Sequence, residues 1–181
     1  MRASLVVILV AVSLVLSGCI ADAPTRPDTE RPEVTLQVRG AVGGSRIFRS
    51  TDSPTVANCA LIRSTPLRLV VSANDPGGIR RVYLKVFPGT IDRSSIVVPT
   101  ADDVSWRVDA EGPYAERLLV TLTPPAPGRV RTGIVATLNV SGPADRPRDF
   151  AITAEASDVA GNRVTLRQVS IWAAESGLTC R

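Results

Sequence analysis

The chain has 181 residues, a formal net charge of +4 and no histidine. Without an imidazole, neither Ser-His-Asp nor Cys-His catalysis nor a histidine-containing metal site can be assembled. The charge excess is too small to argue for nucleic acid, and with Lys85 the one lysine among 21 basic residues the arginine bias reads as codon composition. In chain order, the first predicted element is a secretory leader. Arg2 is its sole charge before Asp22, and residues 3–16 form an apolar run, long enough for a signal-peptide core and short for a bilayer span. Small Ser17 and Gly18 follow, and then Cys19.

The tetrad Leu16-Ser17-Gly18-Cys19 resembles the bacterial lipobox. That resemblance implies a diacylglyceryl group on the Cys19 thiol, cleavage in front of it and often an acylated amino group. Residues 1–18 are then a lipoprotein signal peptide and Cys19 is a membrane tether. Two or three acyl chains, at about 0.8 kcal/mol per buried methylene, hold a protein stably where one chain is marginal. Two other readings share these residues. Residues 3–21 carry no charge and could just span a bilayer as an uncleaved anchor, and an ordinary secretory signal would leave Cys19 incidental.

Residues 19–31 read as the lipidated cysteine and a flexible, disordered linker, because "IADAPTRPDTER" has no apolar period. Its reach is roughly 20 Å as a coil or about 37 Å if extended by its prolines. Ile20 is not the aspartate that resembles an inner-membrane retention signal. The expected address is therefore extracytoplasmic: the outer membrane if the cell has one, otherwise the outer face of the plasma membrane. With Cys19 acylated, Cys59 and Cys180 are too few for a zinc or iron–sulfur cluster. In an oxidising compartment they read as one disulfide, the other possibility being two separate buried thiols. No cofactor is expected.

Past the linker, residues 32–181 alternate with period two. Val34, Leu36 and Val38 share a face, as do Leu67, Leu69, Val71 and Ala73, then Val82, Leu84 and Val86. The same holds for Val104, Trp106 and Val108, for Leu118, Val120 and Leu122, for Ile134, Ala136, Leu138 and Val140, and for Phe150, Ile152, Ala154 and Ala156. Breakers such as "DPGG", "FPGT", "PPAPG" and "SGPADRP" separate these runs. Many short strands with one wet face predict an antiparallel sandwich. The last run carries a defect. Val164 and Leu166 set one phase and Val169 and Ile171 the other, so one extra residue near Arg167-Gln168, or a crossing between sheets, is required. Trp172, out of phase with Ile171, then caps an edge or sits partly exposed.

Two phrases, "SANDPGGIRRVYLKV" and "AEASDVAGNRVTL", look like the second-to-third-strand passage and the closing hairpin of bacterial immunoglobulin-like domains. Both are turn chemistry: Asp accepts backbone hydrogen bonds, Pro fixes φ, and Gly or Asn takes positive φ. The resemblance implies an all-β, antiparallel immunoglobulin-like sandwich of roughly 7–9 strands behind a signal-peptide helix and a disordered linker. The passages "PPAPGRVRTG" and "GTIDRSSIVVPTADD" exceed a minimal seven-strand domain, and the cysteines lie outside the positions of the antibody core disulfide.

That topology brings Asp75 and Asp158 to one pole, where Asn74 and Asn162 could complete an oxygen site for calcium. The plainer expectation is that both are turn residues and that no metal is needed. Asp102-Asp103 invites an acid/base reading, but neighbours on a strand edge point apart. Most of the seven aromatics fall on inward phases, which leaves little for stacking on sugars. Arg80-Arg81 and Arg146/Arg148 read as solvated charges able to meet an acidic partner. The expected function is a non-catalytic lipoprotein, held to the membrane through Cys19, whose domain is a structural or interaction module for an envelope protein or polymer, with no nucleic acid partner. The alternative is a calcium- or glycan-binding adhesion module.

Overall fold

The computed structural model describes residues 20–22, 28–54, 57–98, 104–123, 129–177 and 179–180. The strands are β1 (Ile20–Asp22), β2 (Glu33–Ala41), β3 (Gly44–Arg49), β4 (Cys59–Ile62), β5 (Leu67–Asn74), β6 (Ile79–Phe87) and β7 (Thr90–Val97). They continue as β8 (Val104–Ala110), β9 (Glu116–Leu122), β10 (Arg129–Arg131), β11 (Gly133–Ser141), β12 (Phe150–Asp158), β13 (Arg163–Thr165) and β14 (Val169–Ala173). A short 3-10 turn, Ala174–Ser176, follows.

The strands form the two layers of a β-sandwich. One layer runs β7-β11-β5-β2, with β3 beside β2, and the other runs β4-β14-β12-β6-β9-β8, with β13 beside β12. A single pairing of Ala41 with Ile62 continues the first layer into the second. Nearly all neighbours are antiparallel, as alternation with one wet face requires, and β4 against β14 is the parallel exception. The period-two phases fall inward. Leu36, Leu69, Val71 and Leu138 of the first layer are buried, as are Leu84, Leu118, Val120 and Ile152 of the second, and all belong to one core cluster. Full burial of each such side chain contributes about 1.5–3 kcal/mol.

The defect in the last run resolves as one extra residue. Thr165 pairs with Glu155 and Val169 with Ile152, so the final segment advances four positions while β12 advances three. Both halves stay on β12, so no crossing between layers occurs. The slip lets Leu166, Val169 and Ile171 all be buried, and Trp172 is left half-buried.

The strand count exceeds the expected 7–9, because β3, β4, β7 and β10 carry no clear alternation. β4 reads "CALI" and is buried at three of its four positions, whereas β7 is a largely exposed edge. Trp106 corrects the inward reading of its run. It is 44% exposed, and Val104 and Val108 are half-buried. The reason is position: β8 is the outermost strand of its layer and, among the described residues, pairs with β9 alone.

Two parts of the segment read as a free linker are seated on the sandwich. β1 pairs antiparallel with β10, Ile20 opposite Arg131 and Asp22 opposite Arg129. Asp28 is half-buried and its carbonyl accepts a hydrogen bond from Asn162 Nδ2 at 3.1 Å.

Candidate functional site

The end of β5 and the end of β12 meet at one pole. In the turn after β5, Asp75 Oδ1 accepts the Gly77 N–H at 2.7 Å, and the Gly78 N–H reaches the Asp75 carbonyl at 3.2 Å. Gly78 takes φ +102°, and a Cβ there would meet Val130 at 2.7 Å, so both conformation and space demand glycine. In the turn after β12, Asp158 Oδ1 accepts the N–H groups of Gly161 (2.6 Å) and Asn162 (2.7 Å), and its Oδ2 accepts Asn162 Nδ2 at 2.7 Å. The two turns are tied directly, Val159 N–H donating to the Gly78 carbonyl at 2.9 Å. The turn chemistry read from both phrases is therefore present, and it brings the loops together as the topology implies.

A third carboxylate, which sequence reasoning missed, completes the cluster. Asp28 presents an oxygen so that ligand atoms of Asp28, Asp75 and Asp158 all lie within 4.8 Å of one another. Asp75 is 2% exposed and Asp158 fully buried. Asp28 Oδ1 accepts the Glu30 N–H at 3.0 Å. By contrast, Asp28 Oδ2 and Asp75 Oδ2 are buried with no hydrogen-bond donor among the described residues. Gly77 leaves the room for this: a Cβ there would sit 1.6 Å from Asp28 Oδ2. Asn74, the other expected participant, is exposed, and its side-chain oxygen lies over Gly133 rather than in the cluster.

Burial pushes the Asp75 carboxyl up from 3.8 to about 6; the Gly77 N–H opposes the shift, while the charges of Asp28 and Asp158 add to it, as does the hydrogen bond that the protonated carboxyl alone can donate to Asp28. The folded state thus holds a proton that the unfolded chain releases at lower pH. Stability from this group is therefore highest below pH 4 and falls as pH rises through about 6. At neutral pH and without divalent cations the burden is on the order of 2–3 kcal/mol. Asp75→Asn keeps the acceptor for Gly77 and removes the charge. In cation-free buffer at pH 7 it is expected to unfold at higher denaturant than the wild type, with the gap roughly halved at pH 5 and closing below about pH 4. A gap that persists unchanged at pH 5 would contradict this origin.

The remaining candidates are dispersed. Cys59 and Cys180 are joined in a disulfide with Cα atoms 5.6 Å apart, fastening the C-terminal tail to β4 as the pairing predicts. Cys19 and Asp102-Asp103 lie outside the described residues, as does Pro125 between β9 and β10. Arg80 and Arg81 are exposed, Arg146 pairs with its neighbour Asp145, and Arg148 is engaged by Glu175 at 2.7 Å and the Arg63 carbonyl at 3.1 Å. Trp106 and Tyr114, at 44% and 71% exposed, face solvent.

No protein-family model matches the chain, and no curated protein matches it. Among solved structures it is similar to a cohesin module from a Clostridium perfringens family 33 glycoside hydrolase. The identity is 11%, the TM-score 0.35, and the match covers 66% of this chain and 93% of that one. A likeness so distant bears on neither ligand nor partner.

Proposed function

We propose that the chain is a non-catalytic lipoprotein of the cell envelope, whose sandwich is an interaction module carried on an acylated Cys19. The observation that carries the reading is the tetrad Leu16-Ser17-Gly18-Cys19 at the end of a short apolar run with one charge before it. Two or more acyl chains on that residue supply the anchor. Two surfaces that could take a partner lie on the second layer. Among the described residues β8 pairs with β9 alone, which leaves a strand edge able to take an added strand, with Trp106 exposed on it. Nearby, a groove of about 440 Å³ is lined by Ile79, Leu122, Val130 and Val159 together with Arg80 and Arg81.

Cys19→Ala should abolish acyl labelling and shift the protein from the membrane to the soluble fraction, or leave it unprocessed with its leader attached. A variant that labels and sediments like the wild type would defeat the anchor. For the interaction role, a photocrosslinking residue at position 106 should capture a discrete envelope component. One at Arg39, exposed on the first layer, should not. Equal capture from both positions would count against β8 as the docking edge.

A further inference from the structure

We propose that Asp28, Asp75 and Asp158 hold one calcium ion, which fastens the segment leading back to Cys19 onto the loop pole of the sandwich. The site stands on its geometry and does not depend on acylation of Cys19. Oxygens bound to one calcium at about 2.3–2.6 Å lie no more than about 5 Å apart, and the three carboxylates already meet that limit at 4.8 Å. Two of their oxygens, Asp28 Oδ2 and Asp75 Oδ2, are buried without a donor among the described residues. A buried polar atom left unpaired is costly, and a buried negative charge more so. Every other oxygen of the cluster has a donor, since the Glu30, Gly77, Gly161 and Asn162 groups serve them. The turns are thus complete without the two orphaned oxygens, and turn formation does not explain them. A cation between them does.

The donor set selects the ion. Three carboxylates offer hard oxygen and no nitrogen or sulfur, which disfavours zinc and copper. Magnesium demands near-octahedral geometry and keeps several waters, whereas calcium accepts six to eight oxygens in irregular arrangement. Ligands drawn from the linker and from two separate turns, two of them fully or almost fully buried, suit calcium. Asp28 lies 134 residues from Asn162, yet binds it, so occupancy joins the chain's beginning to the far end of the domain.

The test is calorimetric titration of cation-stripped protein with calcium chloride, paired with hydrogen exchange. We expect one saturable site per chain with a dissociation constant on the order of 10⁻⁵–10⁻³ M, and at least tenfold weaker binding of magnesium. Asp75→Asn should weaken calcium binding at least tenfold. Gly77→Ala leaves all three carboxylates in the chain but places a methyl where Asp28 Oδ2 sits, and should weaken binding as well. Calcium should slow exchange at residues 28–31 together with 75–78 and 158–162. No saturable binding at 10 mM, or wild-type affinity in Asp75→Asn, overturns the site. Magnesium binding equal to calcium overturns the choice of ion, and protection that omits residues 28–31 overturns the link to the tether.

Discussion

Replacing Cys59 and Cys180 together by alanine is expected to cost the domain about 3–5 kcal/mol. The disulfide joins positions 121 residues apart. Closing a loop that long removes enough freedom from the unfolded chain for the chain-entropy model to give nearly 5 kcal/mol, and measured values generally fall below it. The bond also has a local task. Cys59 opens β4, where it pairs with Ser170 of β14 in the parallel register, and Cys180 draws the chain end back against that ladder. Urea unfolding of the oxidised protein and the double variant measures the difference directly. Reduction of the wild type should reproduce most of it, with a fall in melting temperature of roughly 10 °C for a domain of this size. A loss under about 1 kcal/mol would show that the unfolded chain is already compact between these positions.

Asp158→Ala is expected to destabilise by about 2–4 kcal/mol, in the opposite direction from Asp75→Asn although both remove a carboxylate charge from the same cluster. The difference lies in what each oxygen does. Asp158 is fully buried and receives three hydrogen bonds, two of them from the backbone of its own turn. Its charge is compensated, and alanine would strand the Gly161 and Asn162 N–H groups. Asp75 receives one such bond on Oδ1 and none among the described residues on Oδ2, so at neutral pH its charge is a burden. Chemical unfolding of the two variants in cation-free buffer gives the comparison. Shifts of the same sign would refute this division of roles. With calcium bound, the sign for Asp75→Asn should reverse, because the substitution then removes a ligand and the mass-action stabilisation that goes with it.

The sequence by itself determined what is local. Side chains that alternate along a strand must sort into a wet and a dry face, so Leu36, Leu69, Leu84, Leu118, Leu138 and Ile152 could be placed in the core without coordinates. The same arithmetic located the extra residue between β13 and β14, since a single slip inverts every later side chain. Turn chemistry around Asp75 and Asp158 was legible because Asp, Pro, Gly and Asn each act on their own backbone, and two thiols left over beside the lipobox-like Cys19 gave the Cys59–Cys180 pairing as an expectation, which the disulfide bears out. Tertiary structure alone decided the rest. Trp106 follows the inward phase of its strand, yet it is exposed because β8 ends the layer, and edge position is a property of strand order. β4 has no alternation to read, and its parallel place beside β14 depends on a partner more than 100 residues away. Asp28 sits in a stretch whose composition says linker, and it joins the cluster only because Gly77 leaves room and Asn162 supplies a donor. Nothing within a few residues of Asp28 encodes that meeting. It follows from where two loops and one returning segment are brought together by the packing of the whole domain.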